Sequence, residues 1–196
     1  MNTIQQIKKC LLEEAEAIKE LVERVDESYL GVLNIISNCS GKCCFTGVGK
    51  SFIVASKIAS SFCSLGICSI AIDPLRLLHG DLGSLSKDDI VFALSNSGET
   101  EILLQVMRLV AGMDLKIISM TGNANSSLAK MSDCHILVET TEAGPFGLVP
   151  STSTTAMMAV GDALLSGLVE KEQITIERFR EFHPGGALGK KMHQLE

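Results

Sequence analysis

Ser95-Asn96-Ser97-Gly98-Glu99-Thr100 packs three hydroxyls, an amide and a carboxylate into six residues, directly after an aliphatic run and ahead of an amphipathic one. Backbone N–H groups at a helix start, the helix dipole and neutral hydroxyls together hold a phosphate without net positive charge. Plain capping by Ser97 and Thr100 accounts for part of the cluster. A single cap needs fewer donors, so Ser95, Asn96, Ser97 and Thr100 read as phosphate ligands. Glu99 is out of place beside a phosphate dianion unless it moves protons or pairs with a cation.

Lys50 is the candidate cation. It lies in Thr46-Gly47-Val48-Gly49-Lys50-Ser51, after an earlier aliphatic run. This is not a nucleotide-binding P-loop, because the glycine required five residues before Gly49 is replaced by Cys44. Two glycines still let the backbone approach a ligand, so Gly49 and Ser51 join the phosphate set, although a tight turn alone also uses glycine. Glu142 opens Glu142-Ala143-Gly144-Pro145-Phe146-Gly147-Leu148-Val149-Pro150, which runs into five consecutive hydroxyl residues, Ser151 to Thr155. Read singly, Glu142 is an ordinary surface carboxylate and the hydroxyls cap and pack a helix; read with the other loops, Glu142 belongs to one site.

Of four histidines, His79 in His79-Gly80-Asp81 and His183 in His183-Pro184-Gly185-Gly186 stand in turns, where an imidazole is available for proton transfer near neutral pH. His135 falls in a strand-like run and reads as packed, His193 in the tail as solvated. No His, Cys and Asp set has zinc-ligand spacing, and nothing calls for a cofactor.

The bulk composition narrows the partners. A length of 196 residues suits one domain, and a chain 46% hydrophobic with no Trp and one Tyr needs an aliphatic core. A net charge of −6 repels nucleic acid, so any phosphate must be held locally. The seven cysteines form no CxxC pair and read as reduced core thiols of a cytoplasmic protein. No apolar stretch reaches membrane-spanning length, and Met1 leads into Gln, Lys and Glu rather than an apolar leader.

Those loops need a scaffold. Short apolar runs at Cys43–Thr46, Cys68–Ile72, Ile90–Leu94, Leu115–Ser119 and His135–Val138 alternate with helical stretches near 50–65, 99–112, 125–131 and 152–170. This is the pattern of a five-stranded parallel α/β sheet, whose ligands bind beyond the strand carboxyl ends. Ser151 is the expected N-cap of the helix that follows it, and Ile174–Phe182 forms one short helix that His183-Pro184 ends. Apolar residues from Ile4 through Ile36 recur every three or four positions, giving a long amphipathic N-terminal helix or helix pair. Its stripe exceeds what one sheet face covers and is expected to pack on another subunit.

The order of these segments resembles the SIS (sugar isomerase) family, in which a Ser-x-Ser-Gly-Glu-Ser/Thr loop follows the third strand. Gly47 to Ser51, His79 to Gly83, Gly147 to Thr155 and His183 to Gly189 are similar to the arabinose 5-phosphate isomerases within it. Across residues 40–192 the resemblance implies a doubly wound, flavodoxin-like sheet, a homotetramer and a sugar-phosphate substrate. It also implies conversion of ribulose 5-phosphate to arabinose 5-phosphate through a cis-enediol, feeding 3-deoxy-D-manno-octulosonate and lipopolysaccharide synthesis. Such members usually continue into paired CBS domains, so residues 1–196 resemble a form with the SIS domain alone. Isomerisation needs a base, an acid and a group that stabilises enediolate charge, and Lys50, His79, Glu99, Glu142 and His183 supply all three. The rival readings are another phosphosugar isomerase and a non-catalytic sugar-phosphate sensor.

Overall fold

The computed structural model describes residues 2–185. Gly186 to Gly189 of the expected final motif and His193 lie outside the described residues. The N-terminal stripe forms two helices, α1 (Thr3–Val22) and α2 (Glu27–Ser37), separated where the Asp26 carboxylate caps α2 by accepting the Ser28 N–H at 2.9 Å. Strand β1 (Cys43–Gly47), α3 (Lys50–Cys63), β2 (Ser69–Ala71) and α4 (Pro74–Leu78) follow, then a 3-10 turn at Asp81–Ser84. The chain continues through β3 (Ile90–Leu94), α5 (Glu101–Ala111), β4 (Lys116–Thr121), α6 (Ser127–Lys130) and β5 (Cys134–Leu137) to α7 (Thr152–Lys171) and α8 (Ile176–Glu181). Helix α4 and the 3-10 turn go beyond the expected elements; α4 is a single short turn with Asp73 as N-cap and Pro74 inside it, too brief to show periodicity.

All strand pairings are parallel, in the order β2-β1-β3-β4-β5. Burial on both faces explains the unbroken aliphatic runs. Along each strand, alternate side chains enter two separate cores. Cys43, Phe45, Phe92, Leu94, Ile118 and Met120 pack against α2, α3 and α7, whereas Cys44, Val91, Ala93 and Ile117 pack against α4, α5 and α6. Phe45 stacks on Phe92 with ring centroids 4.5 Å apart and meets Phe62 edge-on at 5.1 Å, joining three elements beneath the β1–β3 pair.

The N-terminal stripe is only partly covered. Leu21, Leu33 and Ile36 are buried, but Ile4, Ile7, Leu11, Ile18, Val22 and Val25 are exposed, Leu11 by 65%. The cysteines depart from expectation as well. Cys43 and Cys44 are buried, whereas Cys63 and Cys68, at the ends of the turn between α3 and β2, are exposed, and all seven are free.

His135 on the edge strand β5 is half-buried, with Nδ1 3.0 Å from the Ser119 hydroxyl and Nε2 buried without a partner. Burial lowers its pKa from the ordinary 6.5, outweighing the Ser119 contact. The folded protein therefore prefers neutral His135 while the unfolded chain protonates near 6.5. Its contribution to stability is complete above that pH and is lost as pH falls below it toward the depressed folded value. Denaturant midpoints from about pH 8 to about pH 5 should decline across this window, and His135→Gln should flatten that part of the decline.

Candidate active site

The first crossover leaves β1 for the α3 face, and the crossover after β3 leaves for the opposite face through α5. Adjacent parallel strands whose connections diverge leave a crevice at their carboxyl ends. Gly47 pairs with Leu94, so Gly49-Lys50-Ser51 and Ser95 to Thr100 form its two rims. Gly47 also lets the rims close up: a Cβ there would sit 3.0 Å from the Leu94 carbonyl oxygen.

Capping distinguishes the helices around this crevice from the others. α1, α2, α4, α6 and α8 each start on a side-chain cap from the N-cap residue. The N-cap residues of α3, α5 and α7, which are Gly49, Thr100 and Ser151, supply none. The N-termini of α3 and α5 therefore present N–H groups and positive dipole ends to the crevice, ready for an anion. The capping expected of Thr100 does not occur: its hydroxyl lies 3.0 Å from the Ser95 hydroxyl instead of on α5.

The loop itself is built from its own polar groups. Ser95, 4% exposed, accepts the Gly98 N–H at 3.1 Å, and the Ser97 hydroxyl accepts the Glu99 N–H at 3.1 Å. The Ser97 hydroxyl, accepting here, keeps its own proton for donation to a ligand oxygen, whereas Ser95 and Thr100 commit one of their two hydroxyl protons to each other. Asn96 and Ser97 lie at the exposed tip of the loop, and Lys50 is exposed on the facing rim. Gly98 adopts φ 67°, and a Cβ there would fall 2.2 Å from Ser126 Oγ, so only glycine fits the turn.

The two carboxylates are bound to other helices. Glu99 Oε1 accepts the Ser127 N–H of α6 at 2.7 Å, which lowers its pKa. Glu142, not Ser151, caps α7: it accepts the Ser151 N–H at 2.8 Å, the Ser153 N–H at 3.2 Å and the hydroxyls of Ser151 and Ser153. Burial alone pushes the Glu142 carboxyl up, but these donors prevail and hold it below the usual carboxylate range. Of the neighbouring hydroxyls, Thr152 accepts the Ala143 N–H at 2.9 Å, tying both ends of the Glu142 loop together.

His79 is exposed at the C-terminus of α4, which follows β2 and packs on the α5 face of the sheet. His183 is elsewhere. Its ring stacks on Phe179 at 3.9 Å, and Nδ1 lies 2.8 Å from the Phe179 carbonyl oxygen. The adjacent Phe182 ring packs on Gly66, in the turn that leads into the amino end of β2. Within one chain, His183 is thus at the opposite end of the sheet from the crevice. Ser126 and Ser127 hold the Ser95 to Thr100 loop from behind and are absent from the residues singled out in the sequence; the hydroxyl and amide cluster Asn123 to Ser127 is the signal that marks them.

The same fold recurs in known proteins. The SIS domain model matches residues 35–167, taking in Lys50, His79, Glu99 and Glu142 but not His183. The chain belongs to the SIS domain family. An SIS relative, arabinose 5-phosphate isomerase KdsD of Salmonella typhi, is 38% identical over 190 residues, which are 96% of this chain and 58% of the relative. The chain spans little more than half the length of such curated relatives. An SIS structure from Escherichia coli CFT073, solved in complex with arabinose 5-phosphate, superposes with a TM-score of 0.89 at 36% identity, covering 94% of this chain and 100% of that one. A Bacteroides fragilis structure described as a putative phosphosugar isomerase involved in capsule formation gives 0.89 at 34% identity, covering 94% and 99%.

Gly98→Ala tests the SIS loop directly. The left-handed backbone costs about 1–2 kcal/mol for a residue with a Cβ, and the Ser126 contact adds to it. Denaturation should register that loss, and isothermal titration should show weaker binding of inorganic phosphate.

Proposed function

We propose that this protein is an aldose–ketose isomerase interconverting D-ribulose 5-phosphate and D-arabinose 5-phosphate. The observation that carries the reading is the pair of α3 and α5 N-termini without side-chain caps, facing one crevice beside a loop of aligned hydroxyls. An acidic chain with such a cradle is suited to a phosphate monoester. The KdsD relative and the neighbour bound to arabinose 5-phosphate support that sugar as the specific substrate. The same relationship supports a cytoplasmic role in supplying 3-deoxy-D-manno-octulosonate for lipopolysaccharide.

In this proposal Ser95, Asn96, Ser97, Thr100, Gly49 and Ser51 hold the phosphate. Lys50 faces the sugar oxygens and stabilises enediolate charge, and His79 is free to exchange a proton with them. Removal of a proton from C1 of the ketose gives the enediol, and a proton returns at C2, with the imidazoles of His79 and His183 proposed to carry the protons. Glu142 is ionised and fixed at the start of α7, where it shapes the far wall. Incubation with a panel of ketose phosphates in deuterium oxide tests the assignment. Arabinose 5-phosphate labelled at C2 is the expected product. A different aldose would move the reading to another phosphosugar isomerase, and binding without exchange would make the protein a sensor. Ser97→Ala should raise KM with little change in kcat, lowering kcat/KM by roughly 10- to 150-fold. An unchanged KM removes Ser97 from the phosphate site.

The proposal assigns His183 to the crevice of a second subunit in a homotetramer, since its own crevice lies at the other end of the sheet. The exposed apolar stripe on α1 and a 550 Å³ groove lined by Val25, Tyr29, Leu30, Leu33 and Ala163 support assembly. Sedimentation should show no species at the 21.0 kDa chain mass at micromolar concentration. Loss of the His183 imidazole should lower kcat on the order of 10²–10⁴-fold. Mixed oligomers of Lys50→Ala and His183→Ala chains should then recover activity, because some crevices regain an intact residue from each chain. Verified mixed oligomers that stay inactive would place His183 outside the shared chemistry.

A further inference from the structure

We propose that Glu99 is a positioning residue, clamping the phosphate loop onto α6, and that it takes no part in proton transfer. The inference rests on the isomerase reading for its kinetic consequence and on the loop geometry for the clamp. Four contacts tie this loop to the segment running from β4 into α6. The Ser95 N–H donates to the Met120 carbonyl at 3.1 Å, the Gly122 N–H to the Asn96 carbonyl at 2.8 Å and the Leu128 N–H to the Gly98 carbonyl at 3.1 Å. The fourth is the 2.7 Å bond from the Ser127 N–H to Glu99 Oε1, the only one of the four made by a side chain.

This arrangement removes the electrostatic conflict of a carboxylate inside a phosphate loop. The Glu99 charge is directed to a helix N-terminus behind the loop, while the Glu99 N–H is anchored by Ser97. Holding both ends of Glu99 fixes the backbone between Ser97 and Thr100, the stretch that presents donors to the ligand. A base, by contrast, must keep its carboxylate lone pairs aimed at the proton it abstracts from substrate carbon. Donation from Ser127, its backbone N–H first, also accounts for the lowered pKa of Glu99.

The donor can be deleted without touching Glu99. Ser127 is the first residue of α6, a position that accepts proline, and Ser126 at φ −65°, ψ 158° already has the extended backbone that precedes proline. Glu99→Ala and Ser127→Pro should each weaken inorganic phosphate binding by about 3- to 30-fold, the range of a lost helix cap. KM should rise in parallel while kcat changes little, and the double variant should be no worse than either single one. Glu99→Gln keeps an acceptor oxygen and should restore most of the affinity. Amide hydrogen exchange over residues 96–100 should accelerate in Glu99→Ala and Ser127→Pro but not in Glu99→Gln, a readout that needs no substrate. The proposal is overturned if Glu99→Gln loses kcat on the order of 10²–10⁴-fold while Ser127→Pro keeps it, or if exchange in Glu99→Ala matches the wild type. Should the wild type convert no ketose phosphate and yet show this exchange pattern, the isomerase reading fails and the clamp stands.

Discussion

The site depends on the pairing of β1 with β3. Five residue pairs, from Cys43 with Ile90 to Gly47 with Leu94, hold these strands side by side although α3, β2 and α4 intervene in the sequence. Because the chain leaves one strand toward one face and the other strand toward the opposite face, no connection crosses the gap above them. The stacked Phe45 and Phe92 rings lie beneath that gap, so its floor is dry and rigid. The polar groups at the crevice are therefore presented by the loops, through backbone and side chains, and by helix ends, not by strand side chains.

For the phosphate dianion proposed as ligand, a chain with net charge −6 offers few means of attraction. Bulk attraction is unavailable, and a single lysine neutralises only half of the charge. In the proposed complex, helix dipoles supply the remainder at short range. Gly49 and Thr100 start their helices without side-chain caps and so leave N–H groups open to such a ligand, at a cost of about 1 kcal/mol for the unused Thr100 cap and less for glycine. The same logic explains where the carboxylates went. Glu99 and Glu142 both occupy helix N-termini, so their charge is largely met locally.

The architecture is legible in the sequence because double-sided burial leaves unbroken runs such as Ile90–Leu94, and the hydroxyl loop is legible because its donors are contiguous. Contacts between distant residues are not. Glu99 meets Ser127 across 28 positions, and no periodicity or local motif encodes that distance. Ser151 satisfies every local rule for an N-cap, yet Glu142 takes the role because the loop through Gly144 and Gly147 folds back to deliver it. The cysteines depart from their expected burial for a related reason: Cys63 and Cys68 flank a turn at the sheet's amino end, where apolar neighbours in sequence do not guarantee cover. His183 shows the same gap between composition and placement. Its turn is readable, but which end of the sheet it reaches is decided by how the end of α8 packs on Gly66.

The segment between β5 and α7 is tied to α1. Glu13 of α1 accepts the Gly144 N–H at 3.3 Å, and Glu14 accepts the Thr155 hydroxyl at 3.0 Å. These two consecutive residues brace both sides of the loop that carries Glu142. The same helix presents Ile4, Ile7 and Leu11 to solvent, and the loop itself exposes Phe146, Leu148 and Val149. An apolar surface of that extent is costly to leave in water. Any contact that covers it bears on the helix that fixes the Glu142 loop, so that loop and the exposed stripe are not mechanically independent. The Ser95 to Thr100 loop is held in place through α6, whereas the Glu142 loop hangs on a helix with only Leu21 buried. Of the two loops, the one built around Glu142 is the more sensitive to what α1 packs against.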